Sequence, residues 1–160
     1  MDQLVDKISS YNLFNYLLPG TVFALLADQF TSISLIRENL FEAFFFYYFI
    51  GMVISRIGSL VIEPILKRAR FVQFAEYDQY TEASKEDDRI ELLSEVNNTY
   101  RTISSALLVL LLLMFYDDML INPGNGFELI HYLILLFLFL LFIFSYRKQT
   151  TYITKRVRGD

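Results

Sequence analysis

Few residues of this chain could do chemistry in an apolar setting. Arg56 is a base within an otherwise apolar stretch, Leu40–Ile62, and Glu63 follows it two helical turns on. A guanidinium and a carboxylate at that spacing share a helix face and can pair, and an ionisable group in such a helix marks a gate or a polar path. The plainer reading is an Arg that snorkels to the headgroups. Pro19-Gly20 sits in the middle of another apolar stretch, where it is either a packed kink or a hinge. Gly51, Ser55 and Ser59 repeat every four residues, a stripe that lets helices approach closely within the chain or between copies. Asp28, Glu42, Asp117, Asp118 and Glu128 could form an acidic rim at a pore mouth, or be solvated helix ends.

The rest of the chemical inventory is empty. There is no cysteine, and the single histidine, His131, lacks a partner at metal-ligand spacing. No Gly-rich phosphate loop, HExxH or G-x-S-x-G is present. Asp117 and Asp118 are adjacent, so on a helix they point about 100° apart and do not converge. The expectation is a non-enzyme with no catalytic residue, cofactor or metal.

The elements that hold these residues are apolar helices. The chain of 160 residues is 54% hydrophobic and 17% aromatic, with a mean hydropathy of +0.38, too apolar for an ordinary globule of this length. Four stretches approach the 20 or so residues that span a bilayer: Tyr11–Phe30, Leu40–Ile62, Ile103–Ile121 and Phe127–Tyr146. The expected fold is all-α, an integral membrane four-helix bundle. Residues 1–62 hold an interfacial helix (Met1–Ser10, with Leu4, Val5 and Ile8 toward lipid) and two spans. Residues 63–102 form a soluble segment, residues 103–146 the last two spans, and residues 147–160 a basic tail.

Charge sets the expected orientation. Of 14 Lys and Arg residues, all but Arg37 fall on one side of the four stretches. Positive residues stay on the cytoplasmic side, so both termini and the central segment are expected there, in a multi-pass inner-membrane protein. The opposite side has short connections and six acids against that one base. An isoelectric point near 5.0 argues against nucleic acid as the main partner.

In the central segment Ile65, Leu66, Ala69, Val72 and Ala75 recur near helical spacing. Ile90, Leu93, Val96, Tyr100 and Ile103 then run on into the third span. Ser84 with Asp87 resembles a capping box. The second and third spans are therefore expected to extend into the cytoplasm as a helical hairpin that turns near Ala83–Ser84.

The run Tyr11-Asn12-Leu13-Phe14-Asn15-Tyr16-Leu17-Leu18-Pro19-Gly20 resembles the first span of small four-span proteins of bacterial anti-phage operons, the CRISPR-linked and cyclic-nucleotide-linked membrane effectors and accessory proteins. The resemblance implies a membrane effector or sensor subunit that oligomerises and perturbs the inner membrane when a cytoplasmic partner signals. It supplies no ligand-binding residue. Residues 63–102 and the tail are the places to receive such a signal. Two alternatives stay open: an anchor that recruits a soluble protein through residues 63–102, and a small channel or transporter.

Overall fold

The computed structural model describes residues 13–121 and 129–159, and these are helical with no strand among them. Helix α1 (Leu18–Phe30) is entered through a π-helical turn, Leu13–Leu17. Helix α2 (Leu40–Arg68) contains a second π turn at Gly58–Ile62. Helix α3 (Tyr77–Glu86) is short; α4 (Arg89–Ile121) and α5 (Leu129–Arg158) are long.

A third π turn, Asp117–Ile121, ends α4. The first two π turns each lie just before a proline. Pro19 follows Leu13–Leu17, and Pro64 follows Gly58–Ile62. A helical proline has no N–H to give and its ring collides with the carbonyl four residues back. Those carbonyls belong to Asn15 and Leu60, the middle residues of the two π turns. Winding the preceding turn wider, i to i+5, relieves the collision without breaking the helix.

Helix α2 starts where Asn39 caps it, accepting the N–H groups of Phe41 and Glu42 at 2.9 and 3.3 Å. It stops at a residue with no obvious breaking character. Arg70 takes a left-handed conformation, φ 55°. Around it the Arg70 N–H donates to the Lys67 carbonyl and the Phe71 N–H to the Leu66 carbonyl, at 3.0 and 2.9 Å. This is the Schellman arrangement, which glycine usually serves.

Three helices, α2, α4 and α5, are long and apolar enough to cross a membrane. The remaining apolar stretch, Tyr11–Phe30, yields the shorter α1. Leu40 is 86% exposed, Phe41 73% and Phe137 65%, and other large apolar residues stand beside them on α2 and α5. So continuous an apolar surface is consistent with a membrane protein.

The core sits between α1, α2, α4 and α5 and is built from Phe23, Ala27, Ile54, Ala106, Leu107, Leu110, Met114 and Leu135. Helices α4 and α5 run antiparallel along their whole length. The ladder of contacts is Asp118 with Tyr132, Tyr100 with Phe142, Asn97 with Thr150, Leu93 with Gln149, and Asp87 with Arg156. One end of the bundle carries Asp28, Asp117 and Asp118; the other carries Glu63, Arg101 and the projecting parts of α4 and α5. These are called the acidic and basic ends below.

Three expectations about the central segment are corrected. The projecting pair is α4 with α5, the third and fourth apolar stretches, because α2 is stopped at Arg70. Residues 147–158 of the expected basic tail are the last turns of α5, with Thr150, Ile153 and Thr154 buried. The turn lies at Asp87–Asp88, and Ala83 and Ser84 fall inside α3. Ser84 is accordingly no cap: its hydroxyl donates to the Thr81 carbonyl one turn back, at 3.1 Å. Met1–Ser10 lies outside the described residues.

Candidate functional site

The polar residues converge at the basic end. Glu63, the residue immediately after the second π turn, accepts from Lys67 Nζ at 2.7 Å, from Arg101 Nη1 of α4, and from the Tyr146 hydroxyl of α5 at 3.3 Å. Arg101 and Glu63 side chains are only 14% and 16% exposed, and Tyr146 is fully buried. One carboxylate thereby joins three helices. Gly58 makes room for the approach, since a Cβ there would lie 3.2 Å from Arg101 Cγ and 2.5 Å from Ser105 Oγ.

The same region carries an unusual density of buried polar side chains: Asn15, Asn97, Thr102, Ser104, Ser105 and Thr150. Most are satisfied at short range. Thr102, Ser104, Ser105 and Thr150 donate to the carbonyl four residues back, a bond that leaves no donor for a ligand. Asn97 Nδ2 donates to Thr150 Oγ1 at 3.1 Å and so pins α4 to α5. Among the described residues two buried donors are left over: Asn15 Nδ2 and Arg101 Nε. The Asn15 side chain reaches α4 by its oxygen, which accepts from Thr99 Oγ1 at 3.3 Å.

Beyond this seam the chain folds back over α5. The Phe71 ring meets Phe144 edge-on at 5.4 Å, and the Arg147 guanidinium lies over the Phe71 ring, 4.7 Å from its centroid. Thr154 donates to the Gln73 carbonyl at 3.0 Å. Helix α3 buries no residue and touches the pair through Tyr80, whose hydroxyl donates to Ser94 Oγ at 2.9 Å. At the tip Arg156 Nε donates to Asp87 at 2.5 Å, which holds that carboxyl below its usual range. Residues 69–88 thus form a small head strapped to the ends of α4 and α5.

The residues singled out from sequence separate into those the fold brings to this seam and those it spends elsewhere. Arg56 is exposed and does not pair with Glu63. The carboxylate is taken by Arg101 and Lys67 instead, because the π turn between positions 56 and 63 rotates Glu63 off the Arg56 face. Gly51 is spent inside the chain, against the main chain of Tyr16, and Gly20 against Tyr47; Ser55 and Ser59 are only half-buried. Pro19-Gly20 is clamped in this crossing, both residues buried.

At the acidic end the carboxylates tie down connections. Asp117 is buried and accepts from the Ser32 N–H at 3.1 Å and from the Ser32 hydroxyl. Asp118 accepts from the Tyr132 hydroxyl at 2.7 Å, and Asp28 from Ser34 at 2.6 Å. Glu42 is exposed in the first turn of α2, where the helix dipole favours it. Glu128 lies outside the described residues. His131 packs on the Phe30 ring, 4.9 Å between centroids. Among the described residues no group of His, Asp and Glu is placed to hold a metal ion.

Sequence reasoning passed over Arg101 and Tyr146 as partners of Glu63. A signal was there: Glu63 follows, Arg101 precedes and Tyr146 ends an apolar stretch, all three on the same side. No family model, curated protein or solved structure matches this chain.

Proposed function

We propose that the chain is a non-enzymatic inner-membrane subunit of a bacterial anti-phage system, an effector or sensor that couples a cytoplasmic partner to the state of the membrane. One observation carries the reading. Helices α4 and α5 run without a break from the head to the acidic end, and the Glu63–Arg101–Tyr146 seam locks α2 to them where head and bundle meet. Rigid helices of that kind transmit a displacement of the head to the apolar part of the bundle. The cytoplasmic placement of the basic end follows from the one-sided Lys and Arg.

The described core of a single copy is filled by packed side chains, so permeabilisation on this reading requires an oligomer. The test is membrane potential, read with a voltage-sensitive dye in cells in which the defence system is triggered. Depolarisation that is lost on Glu63→Leu supports the reading. Unchanged potential and permeability with protection intact would overturn it.

One observation favours a second reading, a membrane anchor that recruits a soluble protein. Helix α3 contributes nothing to the core and displays Gln79, Glu82 and Glu86 outward. On this reading, charge reversal at Glu82 and Glu86 abolishes co-purification of the partner and Glu63→Leu does not.

A further inference from the structure

Helices α1 and α5 both pack near α4 and make little contact with each other; at the acidic end Phe30 packs on His131. The gap is a lateral cavity of about 220 Å³. Its floor is α4 (Ile103, Ala106, Leu107), its α5 wall includes Phe142, and its open rim is α1, where Leu18 and Val22 are exposed. Every lining side chain is apolar.

We propose that this cleft holds one acyl chain of a glycerophospholipid from the basic-side leaflet. Size is the first argument. An apolar cavity of about 150 Å³ takes a benzene ring, so this one has room for about nine chain carbons. Shape is the second: the lining runs from Leu18 to Leu26, about 12 Å of helix, the length of such a segment. Polarity is the third. At the basic end, one turn before Leu18, lies Asn15, 1% exposed, whose Nδ2 has no acceptor. A buried donor without an acceptor costs stability. The ester carbonyl at the head of an acyl chain is an acceptor that arrives at this end of the cleft. A second copy of this chain would bring side chains rather than a thread into a cleft of this volume.

The inference rests on the membrane placement above and is tested so that the two fail separately. Purified protein is placed in nanodiscs of phosphatidylethanolamine and phosphatidylglycerol whose acyl chains carry a diazirine. After photolysis, peptide mass spectrometry maps the adducts. The expected result is enrichment at Val22, Leu26 and Ile103 over Leu140 on the exposed face of α5. Filling the floor with Ala106→Phe should bring cleft labelling down to the Leu140 level while Leu140 itself is unchanged. The rim variant Val22→Trp, at an exposed position, repeats the test where the first variant fails to fold. Cleft labelling no higher than at Leu140 overturns the proposal and leaves the membrane placement standing. So do crosslinks between copies through Val22. Absence of label everywhere, Leu140 included, overturns both.

Discussion

The carbonyl of Tyr16 lies over the Cα of Gly51 so closely that a Cβ built there would sit 1.8 Å from its oxygen. One turn along, Gly20 meets the Tyr47 carbonyl in the same way, at 1.9 Å. The two glycines form a reciprocal, antiparallel crossing of α1 on α2 with main chain against main chain, and neither carbonyl can move without moving its helix. Gly51→Ala or Gly20→Ala therefore forces the helices apart. The expected loss is at the upper end of the overpacking range, about 3 kcal/mol, read as a fall in the midpoint of denaturation in micelles. Ser55→Ala, on the same stripe but half-buried, should be within about 0.5 kcal/mol of the parent.

The seam makes a prediction about pairs. Glu63→Leu leaves Arg101 largely out of water and without its carboxylate and should cost about 3–5 kcal/mol; Arg101→Leu leaves Glu63 with Lys67 and Tyr146 and should cost less. The double variant should recover most of that loss, since two apolar side chains of similar volume need no partner. Lys67→Leu breaks only a half-exposed i,i+4 pair and should cost no more than about 0.5 kcal/mol. Arg56→Leu should be close to neutral. A double-mutant cycle in micelles gives the coupling energy directly.

Asn97 and Thr150 pin the register of α4 against α5. Thr150→Val keeps the shape but strands the Asn97 amide, at a cost of about 1–3 kcal/mol. Amide hydrogen exchange should quicken near Leu93 and Ile153 and remain unchanged near Leu110 and Leu135.

Asp87 predicts the pH behaviour of the head. Arg156 first, then the Arg89 N–H, lower its pKa in the folded chain from the usual 3.8. A depressed folded pKa means that the contribution is present in full above the unfolded value and lost as pH falls through the folded one. The tip should hence stay closed from pH 7 down to the ordinary carboxylate range and loosen only below it. NMR titration of the Asp87 carboxyl checks this, and in Arg156→Ala its midpoint should move back up toward 3.8.

Arg70 holds a left-handed conformation that costs an L-residue about 1–2 kcal/mol. Arg70→Gly should raise the denaturation midpoint, by up to about 1 kcal/mol after the added freedom of the unfolded glycine is counted. A fall would mean that the Arg70 side chain makes contacts worth more than the strain.

Much of the architecture was legible because helices long and apolar enough to cross a membrane are written in runs of one chemistry. Leu40–Ile62, Ile103–Ile121 and the stretch ending at Tyr146 are apolar by composition alone, and the helices over them follow. The acidic and basic ends were legible from the same string, since charge sorts by side. What could not be read was which helices extend together. That depends on where α2 stops, and Arg70 takes the place of a glycine there without any mark in the sequence.

The choice of Arg56 over Arg101 failed for a related reason. Spacing on an ideal helix puts Arg56 and Glu63 on one face, but Pro64 widens the turn between them and rotates the carboxylate toward α4. Composition and charge order, properties of the chain read along its length, determined the class of the molecule, its apolar helices and its two unlike ends. Which polar groups meet, which glycines are wedged, and where a cleft stays open were decided only in the tertiary structure. Those outcomes turn on rotations of tens of degrees and approaches of an ångström, set by contacts between residues far apart in sequence.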